Sequence, residues 1–132
     1  MSDFEHKALE LDQKTKIIFI AMSKSMFYFR RHAVKFVLEQ GFTPISQYGI
    51  FDYFLNDSVD RDLVRKANNN LLRVSDELWV FGPVSDGVMA EIKLAKGKKP
   101  IRYFDVKNSN IEEIAKDKIN FEDGMERFSK EM

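Results

Sequence analysis

The segment Gly82-Pro83-Val84-Ser85-Asp86-Gly87 runs straight into a helix-forming stretch, Val88 to Lys96, whose one acid is Glu91. A turn that opens a helix leaves backbone N–H groups unpaired at the positive end of the helix dipole, which favours an anionic group such as a phosphate. Val88, Ile92 and Ala95 make the apolar stripe of this helix, and Glu91 borders it, three residues after Val88 and four before Ala95. A carboxylate so placed, one turn above the loop, could stabilise positive charge developing on a substrate and bond to it covalently. The same pattern describes a surface glutamate that is solvated or paired with a distant lysine. Spacing alone leaves both arrangements open.

The elements that would position these residues follow from apolar periodicity. Lys16 to Met22 reads as a fully buried first strand, because its apolar residues are continuous and not alternating. Phe27 to Gln40 has helical spacing at Phe29, Ala33, Phe36 and Val37, and Gly41 stops it before a short strand, Phe42 to Ile45. A helix is expected from Ser58, as its cap, to Val74, with Leu63, Ala67, Leu71 and Val74 inward. Asp76 to Gly82 is a third strand, Ser85 or Asp86 caps a helix ending at Lys96 and Gly97, and Pro100 to Val106 is a fourth strand. Ile111 to Ala115 is a candidate for one further helix, and Lys116 to Met132 could dock or fray. Strands alternating with helices give an α/β fold: a small flavodoxin-like (Rossmann-like) parallel sheet of four to five strands, with helices on both faces. The chain reads as a single domain over residues 1–132, with 1–14 and 116–132 as peripheral extensions.

Ligands of such sheets collect outside the carboxyl ends of the strands. Those ends are Ala21 to Ser25 and Gly82 to Gly87, which makes Ser23 and Ser25 candidate contacts beside Ser85 and Gly87. Arg30 and Arg31 are expected on a solvated helix face. Of the aromatics Phe27, Tyr28, Phe29, Tyr48, Phe51, Tyr53 and Phe54, most should be core or subunit interface, with Tyr48 the candidate to stack on a flat base. His6 and His32 fit no metal-ligand spacing.

The order DELWVFG strand, Ser85-Asp86-Gly87-Val88-Met89-Ala90-Glu91, small-residue helix and Gly-Lys turn into a strand resembles the nucleoside 2-deoxyribosyltransferase and nucleotide N-glycosidase superfamily. The likeness extends loosely from Lys16 to Phe104. It implies that Glu91 is the nucleophile on the sugar anomeric carbon, with Gly87 allowing close backbone approach. Ser85 matches a position where the nucleotide-hydrolysing branch has a serine near the 5′-phosphate, which tilts the expectation toward a nucleotide. The superfamily's usual aspartate, eight residues before the position of Asp76, is replaced by Asn68, which cannot protonate a leaving base. The proton would come from Asp86 or Asp62, or the base would leave unaided, or the protein would bind a nucleotide without cleaving it. The resemblance thus implies hydrolysis or transfer at an N-glycosidic bond, with a non-catalytic nucleotide-binding or sensor module as the alternative. It requires no metal or organic cofactor, and it implies a homo-oligomer whose neighbouring chain completes the pocket.

Composition narrows the partners. Lys and Arg number 21 against 21 Asp and Glu, so the net field draws neither nucleic-acid polymers nor membranes. The lysines at 93, 96, 98 and 99 are the one dense basic patch, expected to serve a helix C-terminus and solubility. There is no cysteine, no apolar leader, and no apolar run longer than Ile17 to Met22, from which a soluble cytoplasmic protein is expected.

Overall fold

The computed structural model describes residues 2–51 and 58–132; Tyr53 and Phe54, weighed above as core or base-stacking aromatics, lie outside the described residues. Its strands are β1 (Ile17–Met22), β2 (Thr43–Ser46), β3 (Glu77–Phe81), β4 (Ile101–Lys107) and β5 (Asn110–Ile114). Among the described residues the α-helices include α1 (Lys7–Glu10), α2 (Arg30–Glu39), α3 (Gln47–Ile50), α4 (Arg61–Val74) and α5 (Asp86–Ala95). The sheet order is β2-β1-β3-β4-β5. The first four strands are parallel and β5 runs antiparallel to β4. This is the expected α/β sheet with helices on both faces.

Side chains alternate across a strand, so two apolar layers form from the same strands. Phe19, Ala21, Leu78, Val80 and Tyr103 pack with Leu72 of α4 and with Val88, Met89, Ile92 and Ala95 of α5. On the opposite face Ile18, Ile20, Met22, Trp79, Phe81 and Phe104 pack with Phe29, Ala33, Val37 and Tyr48. That double burial is why β1 and β3 read as unbroken apolar runs. The aromatic excess goes largely into the second layer, where Phe81 stacks on Phe104 with centroids 5.1 Å apart and Phe36 meets Phe104 edge-on at 5.5 Å. Each such burial contributes about 1.5–3 kcal/mol.

Several expectations change. Residues 111–115 do not make a helix but lie mostly in β5, because Asn108 (φ 49°) and Ser109 (φ 69°) form a left-handed two-residue turn that folds the chain back on β4. Arg102 then grips Glu113 with two hydrogen bonds, of 2.9 and 2.7 Å. The helix expected from Ser58 starts later: α4 is capped by Asp60, whose carboxylate accepts from the N–H of Asp62 at 2.8 Å. Its inward face is also rotated. Leu63 (59%) and Val74 (48%) are exposed, while Asn68 and Leu72 are buried. Val64, Ala67, Asn68, Leu71 and Leu72 satisfy helical spacing as well as the expected set does, and Asn68 has an interior partner. Between Ser23 and α2 the chain first makes a 3-10 helix, Lys24–Phe29, capped by Ser23.

The C-terminal segment docks. Ile119 and Met132 are buried in the α4–α5 layer, and Phe121, Met125 and Phe128 pack against it. Val84 N–H donates to Asn120 O (2.8 Å) and Glu122 N–H donates to Val84 O (2.9 Å). The lysine patch is largely absorbed: Lys93 pairs with Glu131, and Lys99 donates to the carbonyls of Leu72, Arg73 and Ser75 at the end of α4. It is thus the preceding helix whose dipole Lys99 serves. At one margin of the sheet Thr43 N–H donates inward to Lys16 O, which turns the nitrogen of Pro44 outward. No helix among the described residues is long and apolar enough to cross a membrane.

Candidate functional site

With strand order β2-β1-β3-β4-β5, the connections leave β1 and β3 on opposite faces, through α2 and α5. The crevice of such a sheet opens where those connections part, outside the carboxyl ends of β1 and β3. Ser23 follows β1 there, and the loop Gly82 to Ser85 follows β3.

Ser85 is the N-cap of α5, its hydroxyl accepting from Val88 N–H at 3.3 Å. The cap fixes the start of α5 and hence which residues face inward: Val88, Met89, Glu91, Ile92 and Ala95. Glu91 is 4% exposed, so neither solvation nor a lysine partner describes it. Its Oε2 accepts from Asn68 Nδ2 at 2.8 Å, across the contact between α5 and α4. Among the described residues, Glu91 Oε1 and Asn68 Oδ1 are both buried without a hydrogen-bond partner. Burial raises the Glu91 pKa from 4.5 to about 7, with the Asn68 hydrogen bond pulling the other way. A carboxyl group that is half ionised near neutrality, with one oxygen uncommitted, can act as nucleophile or base, and Oε1 can take a donor from a ligand.

The other candidates separate into distinct places. Asp86 is exposed and its Oδ1 accepts from Gly87 N–H (2.7 Å), so this acid belongs to the start of α5 and does not touch Glu91. Gly87 is exposed in the first turn, and a Cβ there would meet nothing within 4 Å. Asp62 is exposed and paired with Arg65. Tyr48 is buried in the opposite layer, donating to Met22 O at 3.3 Å and meeting Phe27 edge-on. Its ring is committed to the core. Arg30 lies over the Phe27 ring at 3.8 Å and donates to Phe27 O.

Ser23 and Ser25 do come together, around a residue that the sequence reading passed over. Ser23 Oγ donates to Glu122 Oε2, and Ser25 Oγ lies 3.0 Å from the same oxygen. Glu122 reaches the crevice because Phe121 bridges to Val84. The alternation of Ile119 and Phe121 was the available sign that this segment docks. Two surface hollows, of about 410 and 560 Å³, open at the other, amino edge of the sheet, the larger lined by Leu72, Ser75, Asp76, Leu94 and Lys98. Neither includes Glu91. Among the described residues no three acidic or histidine side chains converge as a metal-binding group.

Fold and crevice together define a small α/β domain of the kind that holds its ligand at the switch between β1 and β3. The family model described as a domain of unknown function, DUF7768, matches residues 19–104, and the chain belongs to that family. The match runs from β1 through β4, including Ser23, Asn68, Ser85 and Glu91 but not Glu122. No curated protein matches the chain.

Proposed function

We propose that the protein cleaves or transfers at the N-glycosidic bond of a small nucleoside or nucleotide, with Glu91 as nucleophile. The observation that carries this reading is a carboxyl group buried between α4 and α5, held by Asn68 through one oxygen and, among the described residues, unpartnered at the other. As the C1′–N bond breaks, its electron pair leaves with the base, which takes a proton from solvent or from Asp86. Glu91 Oε1 bonds to C1′, and water or a second base then releases the sugar. Ser85 and the first amides of α5 lie where the sugar or a phosphate would be held. Because Glu91 is enclosed, the α4–α5 contact has to open for C1′ to reach it.

Base release from pooled 2′-deoxynucleosides and their 5′-monophosphates, followed by chromatography, tests the reaction. The rate should rise with pH to a plateau through about 7, as Glu91 ionises. Glu91→Gln should lower it by roughly a hundredfold or more; release that is indifferent to this substitution defeats the mechanism. A second reading, a binding or sensor module without turnover, draws support from Asn68 itself. The group beside Glu91 is an amide with no dissociable proton. Tight binding without base release would favour that reading.

A further inference from the structure

The crevice between β1 and β3 already contains an acid supplied by the chain's own C-terminal segment. We propose that Glu122 sets the substrate class of this crevice: it accepts a hydroxyl of a neutral nucleoside and turns away the 5′-phosphate of a nucleotide. The inference rests on the nucleoside or nucleotide reading above and decides between its two halves.

Ser23 and Ser25 are the hydroxyl groups that could have held a phosphate, and both are directed at Glu122 Oε2. The guanidinium of Arg30 lies over the Phe27 ring and gives one N–H to Phe27 O. Glu122 Oε1 has no hydrogen-bond partner among the described residues. An ionised carboxylate only accepts, so it suits a sugar hydroxyl, whereas a phosphate monoester brings about −1.5 to −2 of like charge. The acid is also fixed in place. Its N–H is bonded to Val84 O, Phe121 bridges to Val84, and Ile119 is buried against Gly82. A Cβ on Gly82 would come within 2.8 Å of Ile119 Cδ1, so Gly82 and the tip of Ile119 approach closely. Glu122 is therefore part of the crevice wall.

Calorimetric binding of the four common 2′-deoxynucleosides and their 5′-monophosphates, with base release followed in parallel, tests this in three proteins. The wild type should bind the best nucleoside at least about tenfold more tightly than its monophosphate. Glu122→Gln, which keeps the shape and can still accept from the serines, should shrink that ratio about tenfold or more. Glu122→Asp, which keeps the charge, should preserve the preference. The proposal is overturned if the wild type prefers the monophosphate, if Glu122→Gln leaves the ratio unmoved, if both variants lose it alike, or if neither ligand binds. A ratio that behaves as expected without base release sinks the reaction and leaves Glu122 its role. Base release chiefly from the monophosphate does the opposite.

Discussion

Glu91 is held by a fold that favours its neutral form, and this has a price in stability that can be measured. Its pKa is about 7 in the native chain against an ordinary 4.5, so between those values the folded state binds more protons than the unfolded one. The associated stability is fully present below about pH 4.5 and is lost as pH rises through about 7, a change on the order of 3 kcal/mol. Glu91→Gln should therefore unfold at nearly the wild-type denaturant concentration at pH 4.5 and at a clearly higher one at pH 8. A stability difference that does not vary with pH would refute the assignment. The spacing to Val88 and Ala95 put Glu91 at the border of the apolar stripe but left open whether it turned inward, which the packing of α5 on α4 decides. Its partner was not legible, because Asn68 sits among three asparagines and nothing local says which of them turns inward. Only the rotation of α4 against α5 selects it.

Among the elements, β1 and β3 were legible because strands covered on both faces carry continuous apolar residues, and β4 because it follows the Gly97 stop of α5. The α5 helix was legible for its cap and its terminal glycine. What failed was β5, whose turn lacks the Asn-Gly or Gly-Gly signature of a two-residue hairpin and places Ser109 at φ 69°. A left-handed serine costs roughly 1–2 kcal/mol relative to right-handed backbone, a cost that glycine escapes. Ser109→Gly should accordingly raise stability by about 0.5–1 kcal/mol in urea unfolding, less than the full cost because glycine also frees the unfolded chain. A loss of stability would show that the Ser109 side chain does something the backbone angle does not explain.

Over the whole molecule, the family match ends at residue 104 while the packed structure continues to 132. Residues 116–132, for which the sequence left docking and fraying open, close the apolar layer over α4 and α5 and carry Glu122 to the crevice. Their composition hid this, because the apolar anchors are single residues spaced among charges. Ile119→Ala should cost roughly 2–5 kcal/mol. It should also increase hydrogen exchange at the Val84 and Glu122 amides, and an unchanged exchange rate there would mean the segment is held by other contacts. The outward nitrogen of Pro44 acts at this scale too. It carries no hydrogen, so the margin of β2, the sheet's edge among the described residues, is missing a donor where another strand would attach, and β5 at the far margin exposes Glu112 and Glu113. Extension of the sheet from one molecule into the next is discouraged on both sides.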